Sequence, residues 1–221
     1  MNRNTAIIGI VMRISEIFYS IQGEGISLGK PSIFLRLAGC HLRCTWCDSK
    51  YTWERKSGKE MSIKEVLKEI KKYPCQHLVV TGGEPLLQQN ALLELFKELK
   101  DYYIEIETSA SLKPFINEYV NHYNCSPKLS NSGNRSIRLE KFPIDKSYYK
   151  FVVSSEENLK EIKAFIKKHK IKKENVILMP EGIGKRELQK KSLWLAEVCK
   201  KENLRFTPRL HINLWGNKRK V

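Results

Sequence analysis

A chain of 221 residues, 41% hydrophobic and 29% charged, is long enough to bury a core, and we interpret residues 1–221 as a single domain. No segment approaches the ~20 consecutive apolar residues of a membrane span, so we expect a cytoplasmic protein without a membrane partner. The formal net charge of +16 lies mostly on predicted solvent faces of helices, without interleaved aromatic residues, which disfavours nucleic acid as a partner.

The amino-terminal residues 6–12 are apolar and lie between Arg3 and Arg13. They lack the small-residue cleavage site of an export signal, and they are short for one. We interpret them as a first strand or a loose amino terminus, with Met12 as an alternative start.

Short apolar segments rich in β-branched and aromatic residues predict six strands. These are residues 13–18, 32–37, 77–80, 102–106, 148–153 and 176–179. Helical spacing of apolar residues predicts helices at residues 63–70, 92–99, 159–166 and 188–199, the first opened by the capping pair Ser62 and Glu65. This alternation predicts an α/β fold with parallel strands and crossover helices, as an open sheet or a partial (β/α) barrel. Residues 129–146 lack periodicity and are interpreted as a loop or insertion.

Ligand sites of parallel α/β folds lie beyond the carboxyl ends of the strands. We therefore expect the polar or Gly-rich segments that follow the strands to face one opening. These segments are residues 20–25, 39–49, 81–85, 107–110, 126–128 and 180–184.

The segment Ile-Gln-Gly-Glu-Gly at residues 21–25 follows the first predicted strand. Gln22 and Glu24 offer hydrogen-bonding groups for a planar heterocycle, and the glycines allow a close approach. Arg36 lies on the second predicted strand, and its planar guanidinium suits a bidentate contact with a substrate carboxylate. Taken singly, these features also suit a polar turn and a structural ion pair.

Three of the six cysteines, Cys40, Cys44 and Cys47, form a CxxxCxxC motif after the second predicted strand. Three thiolates can hold three irons of a 4Fe-4S cluster and leave the fourth iron open to a ligand. A zinc site would need a fourth ligand, for which His41 and Asp48 are the candidates. The other cysteines are interpreted as small buried side chains in a reducing compartment, and they are Cys75, Cys125 and Cys199.

The segment Thr-Gly-Gly-Glu-Pro at residues 81–85 directly follows the third predicted strand. Taken alone, it is also typical of a strand-to-helix turn with Pro85 in the first helical turn. Together with CxxxCxxC and an aromatic residue, Trp46, before the last cysteine, it resembles the radical S-adenosylmethionine (SAM) superfamily. In that superfamily the GGEP segment holds the amino group of SAM.

These segments, with Leu-His-Ile-Asn-Leu-Trp-Gly-Asn at residues 210–217, closely resemble the 7-carboxy-7-deazaguanine synthase family over about residues 13–221. The resemblance implies a homodimeric, modified and incomplete (β/α) barrel of the radical SAM type. It also implies a carbon-nitrogen lyase that contracts the ring of 6-carboxy-5,6,7,8-tetrahydropterin to 7-carboxy-7-deazaguanine with loss of ammonia. The implied cofactors are a 4Fe-4S cluster, SAM and Mg2+. The sequence does not identify the electron donor, although the basic residues 111–221 could dock an acidic flavodoxin or ferredoxin as a partner.

The resemblance also implies roles for individual residues. The cluster ligands are Cys40, Cys44 and Cys47, and the magnesium ligand is Ser49, where many members of the family have Thr. The substrate contacts are Ile21, Gln22, Gly23, Arg36, Thr81 and Val221. The SAM contacts are Trp46, Cys47, Asp48, Gly83, Ser126, Pro127, Lys128, Met179, Pro180, Glu181 and Gly182.

The carboxyl-terminal tail, residues 208–221, is expected to fold back over the site, although its last residues are basic enough to suggest a disordered end. Leu210, Leu214 and Trp215 are the expected apolar anchors. Two other functions fit parts of the sequence. A glycyl-radical-activating enzyme shares CxxxCxxC but has no need for Gln22 and Arg36, and a zinc-dependent RNA-binding module fits the charge. The sequence leaves open whether the product enters queuosine, archaeosine or a modified DNA base.

Overall fold

The computed structural model describes residues 9–134 and 137–221. These residues form one sheet of nine strands in the order β3-β1-β2-β4-β5-β6-β7-β8-β9. The strands are β1 Val11–Ile21, β2 Pro31–Leu37, β3 Lys59–Ser62, β4 His77–Gly82, β5 Tyr103–Thr108, β6 His122–Cys125, β7 Ser147–Val153, β8 Val176–Pro180 and β9 Arg205–Phe206. The helices are α1 Ile63–Ile70, α2 Gln89–Lys97, α3 Glu156–His169, α4 Lys185–Glu202 and α5 Leu210–Trp215.

The strands from β2 to β9 are parallel, and helices connect several of them, which confirms the predicted α/β fold and incomplete barrel. All six predicted strands and all four predicted helices are present, with bounds that differ by a few residues. Three strands were not predicted. Edge strand β3 is short and polar, β6 reads His-Tyr-Asn-Cys, and β9 has two residues, so none shows a clear apolar period.

The prediction of a wholly parallel sheet is wrong at its amino-terminal edge. Strand β1 pairs antiparallel with both β2 and β3, and Ile21 lies opposite Pro31 at the start of β2. The connection from β1 to β2 contains no helix, so these strands form a hairpin rather than a crossover unit. Met12, considered as an alternative start, is buried within β1, whereas residues 1–8 lie outside the described residues.

Helix packing explains the core on the outer face of the sheet. Helix α1 buries Ile63, Val66 and Ile70, and the predicted capping box of Ser62 and Glu65 begins it. These side chains belong to one hydrophobic core with helix-facing residues of the strands, such as Leu78 and Ile104. Complete burial of one such aliphatic side chain contributes about 1.5–3 kcal/mol.

Among the described residues, no helix is both long and apolar enough to cross a membrane.

Candidate active site

A cavity of about 280 Å³ opens at the carboxyl ends of the parallel strands. Loops after β2, β4, β5, β6 and β8 border it, as the sequence predicted. Every residue assigned to a site from the sequence lines it except Pro127, which is buried beside it. The cavity also contains charged or titratable side chains that the sequence did not assign individually, among them Glu16, Glu84, Glu107, Lys150, Arg209 and His211.

Residues 20–25 reach the cavity from the direction opposite to the one predicted. Because β1 is antiparallel, its carboxyl end lies beside the start of β2, at the amino-terminal side of the parallel strands. Residues 22–24 still line the cavity. The Gln22 amide donates hydrogen bonds to Glu105 at 2.5 Å and Glu107 at 3.2 Å, so two inward-facing carboxylates of β5 fix its side chain. A Cβ on Gly23 would lie 2.3 Å from His211 Nδ1, so the backbone there has room only for glycine.

The three motif cysteines converge on the cavity, and all are free thiols. Burial raises the pKa of the Cys40 thiol, and the nearby Glu84, Cys44 and Cys47 raise it further. His41 Nε2 instead lies 2.9 Å from Ser111 Oγ, and Asp48 forms an ion pair with Arg209, so neither is placed as a fourth zinc ligand. Three converging thiols beside an open cavity fit a cubane cluster with one accessible iron.

The loop after β4 packs directly on the cysteine loop. A Cβ on Gly82 or Gly83 would lie 2.1 Å from Leu37 O or 2.2 Å from Gly39 O, which explains both glycines. Glu84 is 1% exposed, and its carboxylate accepts hydrogen bonds from Thr108 Oγ1 at 2.7 Å and Ser109 N at 2.9 Å. A buried carboxylate is thus fixed at the cavity wall next to Cys40.

Residues 126–128 directly follow the carboxyl end of strand β6. Lys128 Nζ donates to Ser126 O at 2.6 Å and lies 5.3 Å from the centre of the Trp46 ring. Burial lowers the pKa of this lysine. Farther along, Arg209 Nη1 donates to Gly182 O at 2.6 Å, which ties the loop after β8 to the carboxyl-terminal segment.

A buried ion network forms the floor of the cavity. Lys150 Nζ lies 2.6 Å from Glu24 and 2.8 Å from Glu107, with 4% of its side chain exposed. Burial opposes ionisation of Glu24, but Lys150, Arg209 and His211 hold the pKa of Glu24 well below its usual range. The two carboxylates raise the pKa of Lys150 against the effect of burial. The network therefore keeps Lys150 charged below the space where a ligand would lie.

Oxygen and nitrogen atoms of Glu24, Asp48 and His211 lie within 4.8 Å of one another, a spacing that a metal ion could use. Arg209 already pairs with both carboxylates, and Lys150 pairs with Glu24. These cations neutralise the carboxylates, so we assign no metal there.

A second charged group lies on β1 and β2, with a contribution from the tail. Arg36 Nε lies 2.9 Å from Glu16 Oε1, and Arg219 Nη2 lies 3.1 Å from Glu16 Oε2. Arg36 Nη1 is 3.5 Å from Ser49 Oγ, which itself donates to Asp48 Oδ1 at 2.8 Å. One buried carboxylate thus faces two guanidinium groups, which leaves one positive charge beside Ser49.

The tail returns to the cavity as predicted, but its anchors differ. Residues 217–221 line the cavity, Ser20 Oγ donates a hydrogen bond to Val221 O, and Arg219 lies 3.7 Å from the Tyr51 ring centre. Ile212 is the buried apolar residue of α5, whereas Leu214 is 49% exposed and Leu210 and Trp215 are only half-buried. The six-residue helix α5 exposes the face that carries Leu214. The spacing of apolar residues in the sequence therefore predicted the wrong buried anchor.

Comparisons with known proteins agree with this geometry. The family model described as Radical SAM superfamily matches residues 35–190. The chain is 40% identical to the 7-carboxy-7-deazaguanine synthase of Pyrobaculum aerophilum, over 94% of this chain and 96% of that protein. It is 34% identical to the enzyme of the same name from Hyperthermus butylicus, over 95% of each chain. The crystal structure of QueE from Escherichia coli superimposes with a TM-score of 0.77 at 25% identity, covering 93% of this chain and 96% of that one.

Proposed function

This chain belongs to the 7-carboxy-7-deazaguanine synthase family of the radical SAM superfamily, and on that basis we propose that it contracts the ring of 6-carboxy-5,6,7,8-tetrahydropterin to 7-carboxy-7-deazaguanine with loss of ammonia. It is a lyase of a family that uses a 4Fe-4S cluster and SAM. One observation carries the choice of substrate. Gln22, Arg36 and Val221 line the same cavity as the cysteines. The hydrogen bond from Ser20 to Val221 holds the end of the tail there, although these two residues are 201 positions apart.

The cluster and SAM supply one-electron reduction and hydrogen abstraction from C6 of the pterin. We assign Cys40, Cys44 and Cys47 as the cluster ligands. Glu84 would accept a hydrogen bond from the SAM amino group, because its carboxylate is already oriented by Thr108 and Ser109. The remaining SAM contacts inferred from the sequence line the same cavity, with the exception of Pro127.

We assign the substrate carboxylate to the wall that contains Arg36 and Ser49. The excess positive charge of Arg36 and Arg219 over Glu16 favours an anion there. The Ser49 hydroxyl donates its hydrogen to Asp48 and accepts a long contact from Arg36 Nη1 at 3.5 Å, which leaves one oxygen lone pair for Mg2+, an ion that prefers oxygen ligands. Gln22 is held by Glu105 and Glu107 and can contact the heterocycle.

Anaerobic turnover of 6-carboxy-5,6,7,8-tetrahydropterin with SAM, Mg2+ and dithionite tests the proposed function. We expect 7-carboxy-7-deazaguanine and ammonia in equal amounts, with deuterium at C6 passing through SAM during turnover. Cleavage of SAM to 5'-deoxyadenosine without pterin product would instead favour an activating enzyme for a protein radical. Zinc in the purified protein, in place of iron and sulfide, would favour the zinc-dependent RNA-binding module.

Arg36→Lys tests the carboxylate contact. An ammonium group cannot make two parallel hydrogen bonds to a carboxylate, and a hydrogen bond to a charged group contributes about 1.5–3 kcal/mol. We therefore expect kcat/KM for the pterin to fall roughly 10- to 150-fold. The cluster should still assemble and still cleave SAM slowly.

Arg13→Lys is the matched control. Arg13 lies on neighbouring β1 but does not line the cavity, and its Nη2 atom lies 2.5 Å from Glu60 Oε2. Steady-state kinetics of both variants decide the assignment. Wild-type kinetics for Arg36→Lys, or an equal loss in the control, would remove Arg36 from the substrate site.

Deletion of residues 217–221 tests the role of the tail. It removes Arg219 from Glu16 and the terminal residue from Ser20, so one wall of the cavity is lost. We expect KM for the pterin to rise about tenfold, the loss that corresponds to about 1.4 kcal/mol of binding free energy. Circular dichroism and iron content should match the intact chain, because the deleted residues are absent from the hydrophobic core. Unchanged kinetics would mean that Val221 does not contact the substrate.

We propose that a flavodoxin or ferredoxin docks outside the cysteine loop rather than on the basic residues 111–221. A shallow depression there is lined by Cys40, Arg43, Arg55 and Leu87, which is 48% exposed. Glu54 also lines the depression and pairs with Arg43 at 2.9 Å, so Arg55 supplies the excess positive charge beside the exposed Leu87. An apolar centre with this charge suits an acidic redox protein, and it lies next to a cluster ligand. Arg55→Glu should then lose turnover with a protein donor but not with dithionite. Lys190→Glu on α4 should retain both activities, and the reverse pattern would support docking on the basic half.

We also propose that residues 1–221 form one domain of a cytoplasmic homodimer. Six free cysteines suit a reducing compartment. A single thermal transition and a sedimentation mass of twice 25.8 kDa are the expected results. Two transitions would contradict the single domain, and a mass of one chain would contradict the dimer.

A further inference from the structure

A short turn from the predicted loop region binds the cysteine loop. Residues 130–132 form one turn of 3-10 helix that ends at Gly133, and residues 135–136 lie outside the described residues. Ser132 O accepts a hydrogen bond from Thr45 N at 3.0 Å, and Asn131 O accepts one from Trp46 Nε1 at 2.9 Å. The turn therefore holds the segment between Cys44 and Cys47 in place.

Asn134 follows this turn and points its amide group at a cluster ligand. Asn134 Oδ1 accepts a hydrogen bond from Arg43 N at 2.9 Å, which fixes which end of the amide is oxygen. Asn134 Nδ2 then lies 3.2 Å from Cys44 Sγ, within range of an N–H···S hydrogen bond. With the amide flipped, its NH2 group would face the Arg43 N–H, so two donors would oppose each other.

The surroundings shield this contact from water, and Asn134 Nδ2 also lies 3.2 Å from Ser132 Oγ, so its two hydrogens can serve both acceptors. Cys44 is only 6% exposed, so little water competes for the sulfur. Cys40 Sγ accepts a hydrogen bond from Leu42 N at 3.4 Å, but that donor belongs to the backbone. Among the described residues, Asn134 is the side chain whose amide donates to a motif cysteine.

We propose that Asn134 is a positioning residue that raises the reduction potential of the 4Fe-4S cluster through its hydrogen bond to Cys44 Sγ. A reduced cluster carries one more negative charge, part of which lies on its sulfur ligands. A donor at the sulfur stabilises the reduced form more than the oxidised form, so the potential rises. The inference rests on the proposed cluster site but not on the identity of the substrate.

A redox titration followed by electron paramagnetic resonance, on reconstituted protein without pterin, tests the proposal. In Asn134→Ala, at a fixed solution potential, we expect the ratio of reduced to oxidised cluster to fall about threefold to tenfold. A tenfold change corresponds to 59 mV for a one-electron couple. Asn134→Asp keeps an acceptor for Arg43 N but replaces the donor by a carboxylate, so its ratio should fall at least as far.

Asn131→Ala is the matched control from the same turn. Its side chain donates to Val152 O at 2.9 Å and does not face a cysteine, so the potential should stay at the wild-type value. An unchanged potential in both Asn134 variants, or an equal shift in Asn131→Ala, would overturn the proposal. Iron content identifies a variant that fails to assemble, in which case Asn134→Asp decides. A shifted potential without pterin turnover would reject the proposed function alone, and turnover with an unshifted potential would reject this inference alone.

Discussion

Cys40→Ala, Cys44→Ala and Cys47→Ala are each expected to abolish both the brown iron-sulfur chromophore and turnover. Each removes one of three thiolates that converge on the cavity, and within residues 9–134 and 137–221 no adjacent side chain is placed to substitute. An incompletely ligated cluster loses iron, and the one-electron chemistry is lost with it. Iron and sulfide content, visible absorbance and turnover measured anaerobically check this result.

The other cysteines provide the controls. Cys125 and Cys199 are buried in the core, and Cys75 is half-buried with its thiol 3.3 Å from Pro31 O, which corrects the expectation that all three are fully buried. Their replacement by Ala should retain cluster and turnover. A colourless Cys125→Ala protein, combined with an active and brown Cys44→Ala protein, would show that the cluster site is misassigned.

Lys150→Met is expected to be the most destabilising single change at the cavity. It leaves Glu24 and Glu107 close together without the cation between them. Breaking a buried ion pair by removing one partner costs about 3–5 kcal/mol. Chemical unfolding at pH 7 measures this loss. Lys200→Met, at a lysine whose side chain is 72% exposed, should change stability by less than about 0.5 kcal/mol.

The pH dependence identifies the cause of that loss. In the wild type the pKa of Glu24 lies well below its usual 4.5, so its contribution is present above pH 4.5 and decreases as the pH falls below that value. Without Lys150 the neighbouring carboxylates disfavour each other's ionisation, which raises their pKa values in the folded state. Protonation then restores stability as the pH falls from 7 toward 4.5. The difference between variant and wild type should therefore shrink over that interval, and a constant difference would point to lost packing instead.

The sequence by itself determined the functional groups that lie close together along the chain. The cysteine loop and residues 81–85 each place several functional groups within a few positions, so the ligands that they bind could be predicted without knowledge of the fold. Amphipathic helices such as α1 were equally clear, because a capping pair and an apolar period of 3.6 are local signals. Side chains that rely on their nearest neighbours along the chain could be assigned from the sequence.

The tertiary structure alone decided the direction of β1, the charges on the cavity floor and the place of Asn134. In β5, Ile104 and Ile106 alternate with Glu105 and Glu107, a pattern that usually marks one solvated face of a strand. Curvature of the sheet turns that polar face inward, where Lys150 from β7 pairs with Glu107. Similarly, Asn134 meets Cys44 from 90 positions away. Such contacts depend on strand order and on charge neutralisation across the barrel, and neither leaves a local pattern in the sequence.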